Sequence, residues 1–506
     1  MLIKHSFVYM RYPKMAKLDK VYKLFINGEF VEAENKATVE VFNPATGKKL
    51  ASIAEASKKD VDKAVKAARR AFEKFRFSTV AERAKLLLDI ADIIEQNKKW
   101  LAQVETMDNG KPIRETMNVD IPFAVEHFRY FAGVIQGEEG TANILHDPLG
   151  GDFMSIVLRE PIGVVGQIVP WNFPFLMAAW KLAPVIAAGD TSVFKPSSET
   201  SLSVLELMKL IQKVLPKGIV NVVTGKGSTT GEFVRTHKGL DKLAFTGSTE
   251  IGRSIALAAA EKIIPATLEL GGKSANIIFD DADFDKAIDG VQLGILFNQG
   301  QVCCAGSRIF VQEGIYDKFV KAIVAKFKKI KVGDPLDPNT QMGSQINKKQ
   351  ADKILNYVEI GKKEGAKVLV GGKRSKAGDA FVEPTLLEVS TNSCTIAQEE
   401  IFGPVGAVIK FKDEAELIKM VNDSEYGLGG GVFTNDITRA LRVSRLMETG
   451  RVWINTYNQI PAGCPFGGYK ASGIGRETHK MILEHYSQIK NLVIDLKGKE
   501  SGFYPQ

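Results

Sequence analysis

The alternation of short β-branched runs with longer amphipathic stretches is the feature that most constrains this chain. Asp60 to Glu73 and Thr79 to Asn97 carry the apolar spacing of helices. Uncharged or nearly uncharged runs that end near glycine or proline predict buried strands: IGVVGQIVP, TSVFKP, IVNVVTG and KLAFTG. This order of elements is typical of α/β proteins with largely parallel sheets.

The alternation resumes in the second half of the chain. Further strands are predicted for SRIFVQ, AKVLVGG, GAVIKF, GGVFT and GRVWIN, and a helix for IYDKFVKAIVAKFKKI. DFMSIVLR and NLVIDL are isolated strand-like segments, which we expect to pair outside the main sheets. We therefore predict an α/β fold, with a cofactor-type sheet before about Leu270 and a second αβ unit after it.

Composition excludes several classes of function. The chain has 506 residues, of which 44% are hydrophobic and 25% charged, so we expect two or three domains. The formal net charge of +8 is scattered along the chain. The sequence has no stripe of Lys and Arg residues of the kind that would predict nucleic-acid binding. The uncharged run from Pro161 to Trp180 is long enough to cross a membrane. Its prolines, with Gln167 and Asn172, predict a buried strand, a turn and a helix instead.

The cysteines and the N-terminus indicate a cytoplasmic protein. Four cysteines do not make a disulfide framework in a chain of this length, which favours a reducing compartment. Residues 1–20 are basic, and their apolar run is too short for a signal peptide. We expect them to be an N-terminal extension.

Two glycine-rich loops bear on a cofactor. NVVTGKGSTTGEFV, with Gly225, Gly227 and Gly231, fits either a flexible turn or a phosphate loop. AFTGSTEIGRSIA is more informative. It predicts a strand that runs into Gly247 and Ser248, and then a helix with Gly252 in its first turn. Such a helix N-terminus suits a pyrophosphate.

Lys195 adds to this prediction. It follows another strand end, where an ammonium group could bind ribose hydroxyls. A cofactor that carries phosphate explains both the lysine and the AFTGSTEIG loop.

Cys303 and Cys304 are adjacent in LFNQGQVCCAGSR. The cysteines and the six histidines lack the spacing of zinc ligands, and a disulfide between neighbours would be strained. We expect no metal site. Local sequence leaves two interpretations open, namely small buried residues in a turn and a nucleophilic thiol.

A nucleophile also needs a base and a stabiliser for the oxyanion. Glu269 precedes a Gly-Gly turn, and its apolar neighbours predict a half-buried carboxylate that could act as the base. Asn172 lies between two prolines in PWNFP and offers a side-chain amide. Taken singly, Glu269 could equally be a surface carboxylate and Asn172 a turn residue.

Seven motifs carry a family resemblance. They are PWNFP, KPSSE, FTGSTEIG, LELGGKS, FNQGQVCCAGSR, EEIFGPV and PFGGYKASGIGRE. In this order they resemble the NAD(P)-dependent aldehyde dehydrogenase superfamily from about Leu24 to Leu496. DNGKPIRET and GIGRETHKMILEHY are further similar to its bacterial acetaldehyde dehydrogenase branch.

The resemblance implies an architecture. It places a Rossmann-type cofactor domain at 21–140 and 160–270 and a catalytic αβ domain at 271–480. A small β-ribbon for self-association is implied at 141–159 and 481–506, so a homodimer or homotetramer is expected.

The resemblance also implies roles for the catalytic residues. Cys303, not Cys304, would attack an aldehyde, and the thioester that follows would be hydrolysed by water activated by Glu269. Asn172 and the Cys303 backbone N–H would hold the oxyanion. Lys181 and Glu477 would assist proton movement.

For the cofactor, NAD or NADP, the resemblance assigns one group of residues: Trp171, Lys195, Gly247, Ser248, Gly252, Glu400 and Phe402. Relatives that prefer NAD usually carry a glutamate three residues after this lysine, and this chain has Ser198 there. We therefore expect NADP to be accepted, alongside NAD.

The implied aldehyde pocket is apolar and lacks Arg or Lys, which favours short aliphatic aldehydes. Its residues are Phe173, Met177, Trp180, Cys304 and Phe466. Cys304 would be a wall residue, or alternatively an oxidation partner of Cys303. The other classes of function are a cysteine hydrolase or acyltransferase, for which the sequence shows no histidine partner, and a non-catalytic scaffold.

Overall fold

A computed structural model describes residues 17–147, 151–498 and 503–504. The predicted N-terminal extension lies outside the described residues except for 17–20, as does most of the tail after 498. In the described part, no helix has both the length and the apolar character needed to cross a bilayer.

The larger of two main sheets has eight strands. Its five central strands are parallel and the remaining three are antiparallel to their neighbours. In spatial order the strands are Gly473–Ile474, Ala266–Glu269, Lys242–Thr246, Val164–Ile168, Thr191–Lys195, Val220–Val222, Leu24–Ile26 and Glu29–Val31. The four strands predicted from IGVVGQIVP, TSVFKP, IVNVVTG and KLAFTG are therefore confirmed.

The chain reverses its direction of travel across this sheet. From Val164–Ile168 it moves outward through two strands, and it then returns to place Lys242–Thr246 on the other side of Val164–Ile168. Parallel sheets with this doubly wound order bind ligands at the carboxyl ends of the two strands that flank the reversal. The confirmed Rossmann-type topology thus points to the loops after Ile168 and Thr246.

The second sheet has seven strands, of which six are parallel. Ala275–Ile278 is a central strand that the sequence analysis did not predict, because four residues between a glycine turn and an acidic loop give too short a signal. The spatial order is Lys367–Val370, Thr385–Glu388, Val405–Phe411, Arg308–Gln312, Ala275–Ile278, Gly429–Phe433 and Arg451–Ile454.

Three small sheets complete the β-structure of the described residues. Val21–Tyr22, Lys49–Ala54 and Thr38–Phe42 form one, and Tyr426–Gly427 pairs with Tyr469–Lys470 in another. The third, here called the ribbon, consists of Thr141–His146, Asp152–Pro161 and Ser487–Asp495. The ribbon contains both isolated strand-like segments, which do pair outside the main sheets as expected.

Helices cover both faces of the eight-stranded sheet. One face is covered by the helices Lys58–Phe75 and Thr249–Lys262. The other face is covered by the helices Pro174–Ala188 and Leu202–Ile211, which belong to a separate hydrophobic core. The other α-helices are Val80–Gln96, Lys98–Asn109, Ile113–Glu115, Ile121–Val134, Glu232–Thr236, Phe284–Leu296, Tyr316–Phe327, Lys348–Lys363, Thr395–Gln398, Glu414–Asn422, Ile437–Leu446 and Ile482–His485. The π-helices are Thr116–Asp120 and Gly227–Gly231, and the 3₁₀ turns are Ile135–Gly137, Phe297–Gly300 and Glu313–Ile315.

The predicted domain bounds remain a prediction. The edge strand Gly473–Ile474 comes from the range predicted as catalytic, yet it pairs in the eight-stranded sheet beside Leu268 and Glu269. Gly473 has a φ of 151°, and an ideal Cβ on it would lie 2.2 Å from the Leu268 carbonyl oxygen. Glycine is therefore needed for this close pairing.

A buried ion pair supports the helices behind the reversal point. The Lys111 ammonium lies 2.7 Å from the Asp120 carboxylate, and both side chains are wholly buried. The same ammonium lies 3.9 Å from the centre of the Phe173 ring. Buried charges are costly to separate, because the remaining partner loses its compensation without regaining water.

Asp120→Ala should therefore lower the free energy of unfolding by about 3–5 kcal/mol, since it leaves Lys111 charged and buried without its partner. The matched control is Asp89→Ala, which removes an exposed helical pair with Lys85 and should cost about 0.5 kcal/mol or less. Urea denaturation of both variants measures the difference. Equal, small losses would show that the Lys111–Asp120 pair does not stabilise these helices.

Candidate active site

Cys303, Glu269 and Asn172 line one cavity, which opens at the reversal point of the eight-stranded sheet. Asn172 follows the strand Val164–Ile168, and Glu269 ends the strand Ala266–Glu269. Cys303 reaches the cavity from the chain between the helix Phe284–Leu296 and the strand Arg308–Gln312. The structure thus brings together three residues that lie far apart in the sequence.

The segment before Cys303 adopts an unusual backbone. Asn298, Gln299 and Gly300 are consecutive left-handed residues, with φ values of 46°, 57° and 71°. Strain of about 1–3 kcal/mol for each non-glycine residue persists only where the surroundings hold it. An ideal Cβ on Gly300 would lie 2.2 Å from the Gly403 carbonyl oxygen, so only glycine fits there.

Hydrogen bonds from a neighbouring segment hold this loop. The Gln301 side-chain oxygen accepts from the Ile346 N–H at 3.0 Å, and the Gln299 amide donates to the Ser344 carbonyl at 3.2 Å. The buried Glu115 carboxylate accepts from the Asn298 N–H at 3.0 Å. The two glutamines therefore hold the backbone of the loop.

The same loop orients Asn172. Its side-chain amide donates to the Gln301 carbonyl at 2.9 Å, and its own carbonyl accepts from the Asn298 amide at 2.7 Å. A primary amide carries two hydrogens, so one N–H of Asn172 stays free for a ligand in the cavity. Asn172 therefore presents an oriented amide donor to the cavity.

Glu269 is more deeply buried than the sequence predicted. Only 3% of its surface is exposed, because two sheet strands and the Gly271–Gly272 turn enclose it. Neither carboxylate oxygen has a hydrogen-bond partner among the described residues. Burial, followed by repulsion from Glu477, raises the pKa of Glu269 well above its ordinary value. Such a carboxyl can take up a proton near neutral pH.

Lys181 and Glu477 lie behind Glu269 and not in the cavity wall. They form a wholly buried ion pair through one Glu477 oxygen. The other Glu477 oxygen has no partner in the described part of the chain. Both groups act electrostatically on Glu269, since Glu477 raises the pKa of Glu269 and Lys181 lowers it.

The Cys303 thiol is half-buried and its pKa is raised well above the ordinary value. Contact with the Cys304 thiol is the main cause, followed by burial and by the carboxylates of Glu400 and Glu269. Cys303 is therefore a neutral thiol at rest, and it needs a base to become nucleophilic.

The opposite end of the cavity carries the predicted cofactor residues. Trp171, Gly247, Ser248, Glu400 and Phe402 all line it. Ser248 caps the fourteen-residue helix that begins at Thr249, by accepting from the Ile251 N–H. The helix N-terminus and the neighbouring glycine thus offer N–H groups and a positive dipole end to an anion.

The positions of Phe402 and Glu400 are held from two sides. Phe402 is left-handed, with φ of 57°, and its carbonyl accepts from the Gln350 amide at 2.9 Å. Its ring meets the Trp171 ring edge-on at 5.2 Å. The Glu400 carboxylate accepts from the Gly272 N–H at 3.0 Å, and burial raises its pKa to about 7. Gln350 was not predicted.

The remaining predicted cofactor residues lie outside the cavity wall. Lys195 is buried at the end of its strand, its side chain runs beside Gly231, and burial lowers its pKa to about 8. The glycine-rich loop NVVTGKGSTTGEFV therefore lies next to this lysine. Ser198 is half-buried. An ideal Cβ on Gly252 would lie 2.3 Å from Leu270, so this glycine serves the close packing of its helix.

These residues suit a dinucleotide. The buried Lys195 ammonium has no hydrogen-bond partner among the described residues, which leaves its donors free for hydroxyl groups. The helix N-terminus, the left-handed Phe402 and the Glu400 carboxylate share one end of the cavity. The fit rests on the N–H and ammonium donors and on the Trp171 and Phe402 rings beside them.

The end of the cavity around Cys304 and Phe466 is apolar. All five predicted pocket residues line it, with further side chains that the sequence analysis did not name: Val119, Phe123, Leu176, Phe297, Val302, Asn458 and Ile460. Charged side chains in the whole lining are limited to Glu269, Lys353 and Glu400. Among the described residues that line the cavity there is no histidine, and no group of three or more His, Cys, Asp or Glu could hold a metal.

Asn298, Gln301 and Glu115 are further supporting residues that sequence reasoning missed. The first two lie inside the segment LFNQGQVCCAGSR, whose richness in amides was visible. Glu115 lies 183 positions from its partner Asn298, and no local pattern indicates such a contact.

Comparison with known proteins agrees with the family resemblance of the sequence motifs. The model of the Aldehyde dehydrogenase family matches residues 30–492. An acetaldehyde dehydrogenase from Pseudomonas aeruginosa is 48% identical over 494 residues, which are 96% of each chain.

Solved structures agree in fold. An aldehyde dehydrogenase from Bacillus cereus, solved as an NAD+ complex, has a TM-score of 0.92 and 45% identity, and covers 95% of this chain and 98% of its own. A betaine aldehyde dehydrogenase from Staphylococcus aureus, in complex with NAD+, has a TM-score of 0.92 and 41% identity, with 97% of both chains covered. Because the family model matches nearly the whole length of this chain, the chain belongs to the aldehyde dehydrogenase family.

Proposed function

We propose that this protein oxidises a short aliphatic aldehyde to the carboxylic acid with NAD or NADP. The observation that carries the proposal is the convergence of Cys303, Glu269 and Asn172 in one cavity, between an apolar end and a helix N-terminus. An aldehyde and a phosphate-bearing cofactor would therefore meet at the thiol.

In the first step, the Cys303 sulfur bonds to the aldehyde carbon while Glu269 takes the thiol proton. The carbonyl oxygen gains negative charge, which the free N–H of Asn172 and the Cys303 backbone N–H stabilise. The protonated Glu269 returns this proton to the oxygen, which gives a thiohemiacetal on Cys303. A dinucleotide bound in the cavity would supply the hydride acceptor: the thiohemiacetal carbon loses its hydrogen as hydride, the hydroxyl proton passes to water, and the C=O bond re-forms as a thioester.

Glu269 then acts a second time. Its carboxylate takes a proton from water, whose oxygen attacks the thioester carbon, and the C–S bond breaks. At neutral pH the products are a carboxylate, the Cys303 thiol and one surplus proton. The unpaired oxygens of Glu269 point to a group that exchanges partners during the reaction. Lys181 and Glu477 would help the surplus proton to leave.

The acetaldehyde class is supported by the apolar lining and by the acetaldehyde dehydrogenase that is 48% identical. Cys304 is wholly buried, and its thiol donates to the Asn458 side-chain oxygen at 3.6 Å, which supports the role of a wall residue. A cysteine hydrolase is disfavoured because no histidine lies in the described cavity wall.

Cys303→Ala should abolish the reduction of NAD and NADP by acetaldehyde. Asn172→Ala should lower kcat about a hundred- to a thousandfold, because one oxyanion donor is lost. Spectrophotometric rates with purified protein measure both effects. The control, Cys304→Ala, keeps Cys303 and should retain most of the activity; loss of activity in Cys304→Ala with full activity in Cys303→Ala would contradict the assignment.

We further propose that NADP is accepted because no carboxylate faces Lys195 from position 198. The nearest acid, Glu199, is exposed and its carboxylate accepts from the Asn347 amide at 3.5 Å. Ser198 neither repels a ribose phosphate nor offers two acceptors to the ribose hydroxyls.

Ser198→Glu should therefore raise the ratio of kcat/KM for NAD to that for NADP by at least about tenfold, through repulsion of the 2′-phosphate. Glu199→Gln is the matched control and should leave the ratio unchanged. Steady-state kinetics with both cofactors measure it. An NAD preference of about a hundredfold in the parent, equal to about 2.7 kcal/mol, would contradict acceptance of NADP.

We also propose self-association through the ribbon, as a dimer or as a tetramer built from dimers. Its strands expose a set of large apolar side chains: Ile144, Leu145, Leu158, Ile489, Leu492, Val493 and Ile494. Within the described residues, Thr141–His146 and Ser487–Asp495 are open edges of this sheet. Exposed apolar edges are pairing surfaces.

Val493→Asp should reduce the assembly to a smaller species, because it places a charge in this apolar surface. Phe42→Asp changes an exposed aromatic residue in the separate small sheet that contains Thr38–Phe42, and it serves as the control. Sedimentation velocity measures the mass of each species. An unchanged mass in Val493→Asp would exclude the ribbon as the interface.

The four cysteines are free thiols in the structure. This state supports a cytoplasmic location, where thiols stay reduced.

A further inference from the structure

Polar side chains form a stripe on one face of the eight-stranded sheet. Thr267 and Glu269 are two residues apart on one strand, so their side chains share a face. Lys242 and Thr246 lie on the same face of the neighbouring strand, since Thr246 pairs with Glu269 and Ala244 with Thr267. The stripe runs from the cavity at the carboxyl edge of the sheet toward the opposite edge.

Lys242 lies at the far end of this stripe. It is wholly buried, and its ammonium group has no hydrogen-bond partner in the described part of the chain. The four residue steps from Lys242 to Thr246 span about 13 Å of strand. The Tyr486 ring covers it at 5.1 Å from the ammonium nitrogen.

Several ionisable groups face Lys242 from the elements packed around it. Glu477 and Asp190 favour its charged form, and Lys181 opposes it. His485, half-buried in the helix Ile482–His485, interacts with Lys242 and with Glu477. Lys242 therefore lies between the Glu477–Lys181 pair and a side chain that reaches toward solvent.

Unpaired buried polar atoms follow the stripe. They are both Glu269 carboxylate oxygens, the Thr267 hydroxyl, the second Glu477 oxygen and the Lys242 nitrogen. Buried polar atoms in folded proteins usually have a hydrogen-bond partner in the protein or in ordered water. A series of them between an active site and the opposite side of a sheet is the arrangement expected of groups that exchange protons or share ordered water.

We propose that Lys242 is a proton-relay residue, which receives the proton that leaves Glu269 through Glu477 and delivers it to solvent beside His485. This inference rests on the proposed function. The protonated Glu269 gives its proton to the Glu477 carboxylate, which passes it to the neutral Lys242 amine. The resulting ammonium releases it to water, and all three groups return to their starting states.

The acid–base properties of the two outer groups agree with this role. Burial, the largest cause, lowers the pKa of Lys242 to about 7, and burial also lowers the pKa of His485. An amine with such a pKa is neutral in a large fraction of molecules at neutral pH. It can therefore accept a proton and give it up again within a turnover.

The test compares Lys242→Met and Lys242→Arg with the parent, using acetaldehyde and NAD. Methionine cannot carry a proton, and arginine keeps its proton. A relay predicts that both variants complete the first turnover at the parent rate and that later turnovers slow at least tenfold. Small buffers such as imidazole should speed Lys242→Met in proportion to their concentration. The pH dependence near neutrality should disappear in both variants.

Lys262→Met is the matched control. Lys262 is half-buried on the helix that covers the other face of the same sheet, where it donates to the Arg235 carbonyl at 2.8 Å. Its rate and pH profile should equal those of the parent. If Lys242 served only to balance charge, Lys242→Arg would turn over at the parent rate. That result would overturn the proposal. Unchanged later turnovers in Lys242→Met would also overturn it.

A second variant covers failure of Lys242→Met to fold. In His485→Gln, later turnovers should be slow in dilute buffer, and added imidazole should restore their rate. A rate equal to that of the parent in dilute buffer, with no response to imidazole, would overturn the proposal. The amount of NADH formed in the first turnover distinguishes failure of the proposed function from failure of the relay. Its absence in the parent would reject the proposed function, whereas normal first and later turnovers in the variants would reject only the relay.

Discussion

The close approach of the Gly271–Gly272 turn to the Cys303 backbone is the constraint on which the site depends. An ideal Cβ on Gly272 would lie 2.4 Å from the Cys303 carbonyl oxygen, so any side chain would push the two segments apart. Because this turn follows Glu269 directly and precedes the strand Ala275–Ile278, it links the two main sheets and sets the base beside the thiol. The Glu400 carboxylate, bonded to the Gly272 N–H, fixes the same turn from the cofactor end.

Burial gives these groups their chemistry. Glu269 would be an ordinary surface acid if it were solvated, but in this enclosure its pKa rises and its oxygens lack fixed partners. The pKa of the Cys303 thiol is also raised, first by contact with the Cys304 thiol and then by burial. A neutral thiol beside a carboxyl with a raised pKa is a pair that can exchange one proton at little cost. The strained loop from Asn298 to Gly300 precedes Cys303 and is hydrogen-bonded to Asn172, so it fixes the position of Asn172 relative to the thiol.

Much of the fold could be predicted from the sequence, because buried parallel strands are short uncharged runs with clear ends. Four of the five central strands of the eight-stranded sheet and both isolated ribbon segments were found in this way, whereas Ala266–Glu269 was not. Ala275–Ile278 escaped because four residues give no periodicity, and the edge strand Gly473–Ile474 because only its pairing partner defines it. Glu269 was expected to be half-buried, since sequence flanks do not reveal which strands will cover a side chain.

The chemistry of the site was likewise visible in part. The thiol, the base and the amide each lie within a distinctive local motif, but their convergence depends on contacts between distant segments. Lys242 and Glu115 carry no local signal at all. Lys242 is one lysine at the start of a strand, and only the register of that strand with Ala266–Glu269 places it in line with the base.

The central claim, that Cys303 carries the acyl group that Glu269 releases by hydrolysis, can be tested most directly by mass spectrometry. Glu269→Gln would be incubated with NAD and acetaldehyde, quenched in acid and digested. The account predicts that the peptide containing Cys303 and Cys304 gains one acetyl group, that fragmentation places it on Cys303, and that it is absent in Glu269→Gln/Cys303→Ala. An acetyl group on Cys304, or NADH formation with no acylated peptide, would contradict the account.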